Sequence, residues 1–167
     1  CSQGNLLPDS VYVKVKSLLS VFHHEGIPVG IGNKTGQELP VWSSFAQNIS
    51  WGNLSGLSKP DVKPGTNQLL NKITQNYSEK ITLIALGSLK TFADWIKNHP
   101  EASDKIERIV WYNNAEIQKG FNYKASVESY EFIKQTNIQL DIVGNTTDKY
   151  LIDEAYLNVI QKTNSIY

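Results

Sequence analysis

The segment ITLIALGSLKTFADWIKNHPE, residues 81 to 101, changes period in its middle. Up to Leu86 it is apolar and β-branched, and beyond Gly87-Ser88 the residues Leu89, Phe92, Ala93 and Ile96 recur at helical spacing. The pattern predicts a buried strand over 81 to 86 running directly into a helix over 88 to 98. His99-Pro100 ends that helix, because the residue before proline is pushed out of the α region. The alternation continues with KIERIVW as a strand, SVESYEFIKQ as a helix, IQLDIVG as a strand and DKYLIDEAYLNVIQK as a last helix. Strands of Ile, Leu and Val alternating with helices predict an α/β fold, a mostly parallel sheet flanked by helices.

Upstream, PDSVYVKVKSLLSVFHH reads as a helix with Val11, Val15, Leu18, Leu19 and Phe22 on one face. GIPVGIG reads as a short buried strand bounded by glycines, too apolar for a solvent-facing edge. Residues 33 to 64, dense in Gly, Pro, Asn and Ser, read as a surface excursion pinned by Trp42, Phe45, Trp51 and Leu57. A helix over about 66 to 78 carries Leu69, Leu70 and Ile73. No linker divides the chain, so the expectation is one domain over 1 to 167.

The 167 residues suffice for a real core but are few for a complete two-winged α/β enzyme. Formal net charge is zero with scattered charges, which argues against nucleic acid as partner, since phosphate binding needs clustered Lys and Arg. No apolar run reaches the roughly 20 residues of a membrane span. Cys1 is the sole cysteine, so neither an internal disulfide nor a cysteine-based zinc site can form. Its place at residue 1 also fits a lipidated, surface-anchored protein of the cell envelope; otherwise the compartment is cytoplasmic or periplasmic. The Asn-X-Ser/Thr sequons at Asn33, Asn48, Asn53, Asn76 and Asn145 are assigned no function.

In parallel α/β folds ligands gather at the carboxyl ends of strands. The residues there are Leu86-Gly87-Ser88, Tyr112-Asn113-Asn114 and, shortly beyond, Gly120-Phe121-Asn122; Gln3-Gly4-Asn5 also reads as a strand end. Amides that both donate and accept can satisfy vicinal sugar hydroxyls, although asparagine is equally a turn former. Other chemistry is poorly served. His23 and His24 are adjacent on a predicted helix and point apart, and Glu128 and Glu131 have no matched acid across a cleft. By spacing alone the chain is ligand-competent without a catalytic engine.

The run ITLIALGSLKTFADWIKNHPEASDKIERIVWYNNA resembles the nucleoside hydrolase family, whose members carry a strand ending in Gly-Pro-Leu-Thr-Asn, a helix, a Pro-Glu turn and a strand of the type Ile-Val-Trp-Met-Gly-Gly. GFNYKASVESYEFIKQTNIQLDIV is similar to the family's Glu-Phe-Asn segment with the helix and strand after it. QGNLLPDSVYVKVKSLLSVFHHEGIPVGIG is similar to its Gly-Asn, helix and Ile-Pro-Val strand. The resemblance implies a Rossmann-like nucleoside hydrolase fold, present in part, and hydrolysis of the N-glycosidic bond of nucleosides or related ribosides. It also implies calcium, which in the family orients the ribose diol and the attacking water, with an aspartate as base. Asn5, Asn122 and Phe121 match family positions around the sugar, Asn113 and Asn114 lie at the same rim, and Leu86 matches the position whose main-chain carbonyl binds the metal.

The departures matter as much. Gly120 stands where the family has its sugar-binding glutamate, Tyr112-Asn113-Asn114 replaces Met-Gly-Gly, and Thr91 replaces an asparagine. The family's calcium-binding aspartate cluster belongs before Asn5, and its late histidine and aspartate beyond Tyr167. On the resemblance the chain is an internal portion of a longer hydrolase, inactive alone. The competing readings are a reduced relative that binds a sugar or nucleoside without turnover, anchored through Cys1, and a structural subunit, with homo-oligomers left open. Residues 1 to 5, read as the tail of a strand, favour the internal portion, since a parallel sheet without its opening strand would expose an edge.

Overall fold

A computed structural model describes residues 3–36, 38–50, 65–145 and 154–162. Cys1, Trp51, Asn53, Leu57 and the first residues of the last predicted helix, 148–153, lie outside the described residues. The helices are α1 (Pro8–Val21), α2 (Ser43–Asn48), α3 (Thr66–Asn76), α4 (Lys90–Asn98), α5 (Phe121–Lys124), α6 (Val127–Lys134) and α7 (Glu154–Lys162). The strands β1 (Ile81–Ala85), β2 (Ile106–Asn114) and β3 (Gln139–Asn145) form one sheet in the order β1-β2-β3. Both pairings are parallel, as the strand and helix alternation predicted.

Register places Leu83 beside Ile109, Ala85 beside Trp111, and Trp111 beside Ile142. Neighbouring partners of a parallel sheet point to the same face, so these side chains share one side. α4 and α6 cover it: Ala93, Trp95, Ile96, Tyr130 and Ile133 join Leu83, Ala85, Ile109 and Trp111 in the core. The buried indoles are satisfied, Trp95 donating to Asn71 Oδ1 at 2.7 Å and Trp111 to the Gly87 carbonyl at 2.9 Å. The second bond fixes the β1 to α4 junction. Gly87 is not among the glycines with positive φ, so this anchor, not left-handed backbone freedom, sets the turn. On the opposite face Ile84 is 68% exposed and Tyr112 and Val143 are also exposed.

The amino-terminal half departs from expectation in four places. Residues 26–32 form no strand; Ile31 makes one isolated parallel bridge to Gly65, and Ile27 is exposed. Pro28 lacks an N–H and the glycines offer no side chain to pack, so a ladder has little to hold it. Residues 4–6 are bends, and residues 3–7 hold no strand tail. α1 forms but buries Tyr12, Lys14 and Ser17, leaving Phe22 exposed. It ends at Val21, three residues early, with His23 in the left-handed region at φ 56°. Finally, Trp42 and Phe45 are exposed, so burial of these aromatics does not pin their segment. The Lys14 ammonium does so by donating to the Gln47 carbonyl at 3.1 Å and to that of Ile49, at the end of α2.

At the start of α6 the Ser126 hydroxyl donates to Glu128 Oε1 at 2.6 Å. That bond, helped by a backbone N–H and by Lys90 and Lys97, holds the Glu128 carboxyl below the usual carboxylate range against a small burial penalty. A carboxyl with a lowered folded value adds stability above its ordinary range and loses it as pH falls through the lowered value. Glu128→Gln is therefore expected to flatten that acid limb slightly in urea midpoints measured against pH. Superimposable pH profiles for the two proteins would contradict the assignment.

Candidate ligand site at the strand carboxyl ends

A cleft of about 870 Å³ opens at the carboxyl ends of β1 and β2. All six residues singled out from the sequence, Asn5, Leu86, Asn113, Asn114, Phe121 and Asn122, line it. A second hollow, about 580 Å³, lies at the opposite end of the strands, by Lys80, Ile106 and Ile138. The carboxyl-end cleft is the candidate, because loops there converge from several strands.

The six residues do different work. Asn122 donates through Nδ2 to the Leu86 carbonyl at 3.2 Å and to the Tyr112 carbonyl at 2.8 Å, tying the ends of β1 and β2 together. Its Oδ1 makes neither of these bonds. Asn113 is 3% exposed and has both ends engaged, donating to the Ile117 carbonyl at 2.9 Å and accepting from the Tyr123 N–H at 3.3 Å. Asn114 accepts from the Glu116 N–H at 2.9 Å, an Asx turn closing the strand end. Asn5, exposed, accepts from Trp42 Nε1 at 3.1 Å, and the Trp42 ring lies 6.4 Å from that of Phe121.

Sequence reasoning missed part of the lining. Val11 and Val15, read only as part of one apolar helix face, line the cleft with Ala46 and Ile49. Trp42 borders the site through Asn5 and Phe121, which only its aromatic character in a polar loop could have suggested. Among the described residues Lys119 is the one charged side chain in the lining, and it pairs with Glu116 at 2.8 Å.

Calcium takes six to eight oxygens and usually recruits carboxylates. Among the described residues no three His, Cys, Asp or Glu converge, and no carboxylate lines the cleft. The Leu86 carbonyl already accepts from Asn122. These residues by themselves do not fit a calcium ion.

The fold is that of the nucleoside hydrolases, as the sequence resemblance implied. The chain is 28% identical over 159 residues to the pyrimidine-specific ribonucleoside hydrolase RihA of Enterobacter sp. (strain 638), a match covering 86% of this chain and 49% of that protein. Among solved structures, the purine-preferring ribonucleoside hydrolase of Gardnerella vaginalis superposes with a TM-score of 0.69 at 14% identity, over 86% of this chain and 50% of that one. The inosine-uridine preferring nucleoside hydrolase of Bacillus anthracis gives 0.63 at 17% identity, over 84% and 53%. The chain thus spans about half the length of these relatives. No family model matches the sequence.

Proposed function

We propose that this chain forms the riboside-holding wall of a nucleoside hydrolase-type site. The observation that carries the reading is the gathering of Asn5, Phe121 and Asn122 with the Leu86 carbonyl in one cleft. Asn122 Oδ1 is an acceptor for a sugar hydroxyl, its Nδ2 being held by two carbonyls. Trp42 and Phe121 offer flat apolar surface to a base, and Val11 and Val15 add an apolar flank. Cleavage of the N-glycosidic bond needs an activated water and relief of charge on the sugar. Among the described residues the lining supplies neither, so the wall binds and orients while carboxylates, and the oxygens for any calcium, would come from other residues.

Uridine or inosine titrated into the 15N-labelled chain is expected to shift signals of Phe121, Asn122 and the Trp42 indole. Asn122→Ala should weaken that binding about tenfold, the scale of one lost hydrogen bond plus a loosened strand tie. Shifts confined to the opposite end of the sheet would defeat the proposal.

A further inference from the structure

We infer that Asn113 and Gly120 form a steric interlock that positions Phe121 and Asn122 at the cleft, with Asn113 the positioning residue and Gly120 the gap that receives it. Gly120 has φ −66° and ψ 137°, angles open to any residue, so its backbone does not require glycine. Space does. A Cβ at position 120 would stand 1.9 Å from Asn113 Oδ1 and 2.6 Å from its Nδ2. Asn113 cannot step aside cheaply, because it is buried and bonded at both ends, to the Ile117 carbonyl and the Tyr123 N–H. Those partners bracket the turn from 117 to 123 that carries Phe121 and Asn122. Asn122 then closes the circuit onto Leu86 and Tyr112.

A chemical consequence follows for the site. No side chain, acidic or otherwise, fits at 120 while Asn113 holds its place, so position 120 adds no charge, and this corner of the cleft combines amides with a Lys119 already paired to Glu116. It suits an uncharged polyol. The relevance to a ligand rests on the riboside reading, but the geometry can be tested without one.

The test is a double-mutant cycle in the full chain. Gly120→Ala is expected to lower Tm by roughly 5–10 °C in the parent, the scale of a displaced buried amide in a chain of this size, but by less than about 2 °C in an Asn113→Gly background. Asn113→Ser is expected to keep the Trp95 and Trp111 indole NMR signals in place while the Asn122 side-chain amide moves to its free-chain position. Equal Tm losses in both backgrounds, or an unmoved Asn122 amide in folded Asn113→Ser, would overturn the interlock. Should Asn113→Ser fail to fold, the Gly120→Ala comparison decides alone. Failure of uridine to bind would count against the riboside reading and leave the interlock standing.

Discussion

Trp111→Ala is expected to lose a large share of the fold's stability. Trp111 is fully buried at the centre of the sheet, its ring 5.5 Å from that of Tyr130. Deleting a buried tryptophan side chain costs about 3–5 kcal/mol, against a total stability of about 5–15 kcal/mol for an ordinary domain. The replacement also removes the donor to the Gly87 carbonyl, next to the Leu86 carbonyl in the cleft. Trp111→Phe keeps a ring but leaves that carbonyl without its indole, a loss of about 1–3 kcal/mol. Urea midpoints for the two variants should fall in that order. A Trp111→Ala midpoint within error of the parent would show that the core does not depend on this side chain.

The second large effect is catalytic silence. The pure 167-residue chain is expected to release no base from uridine or inosine above the uncatalysed background. A positioned general base contributes about 10²–10⁴ in rate, and a metal that lowers the pKa of bound water contributes further. Among the described residues the cleft lining contains no carboxylate and no histidine, and its one cation, Lys119, is paired with Glu116. Its amides can orient a sugar but have no pKa near neutrality with which to take a proton from water. Calcium-dependent base release by the pure chain would mean that a carboxylate reaches the cleft from residues assigned elsewhere, and would sink this prediction.

The second half of the molecule was legible because its periods are clean. β1, β2 and β3 are short apolar runs, α4 and α6 have contiguous apolar faces, and Gly87 and Pro100 punctuate them. The amino-terminal half was not. Residues 26–32 have the composition of a buried strand, but a strand also needs a partner, which composition does not report. Lys14 is buried because its ammonium reaches carbonyls 33 and 35 residues away, a long-range pairing invisible to helical spacing. α5, at four residues, is too short to show a period.

The site was readable as a place more than as a set of roles. Parallel topology brings strand ends together, so choosing residues after each apolar run found the cleft. It could not divide the asparagines between ligand and scaffold. Asn113 and Asn114 proved to be committed to holding the backbone, whereas Asn5 and Asn122 keep polar groups at the opening. Gly120, a departure from the family pattern in sequence, is explained once Asn113 is seen filling the space beside it.

Among the described residues the sheet has one dressed side and one bare side. Ile84, Val143 and Tyr112 stand on the bare side, where parallel sheets ordinarily carry a second layer. Ile84 is two residues from Leu86, and Tyr112 supplies one of the two carbonyls that Asn122 bridges. Any polypeptide laid over that side therefore presses against the same strand ends that shape the cleft. Shielding this strip from water and setting the cleft's dimensions are one mechanical act.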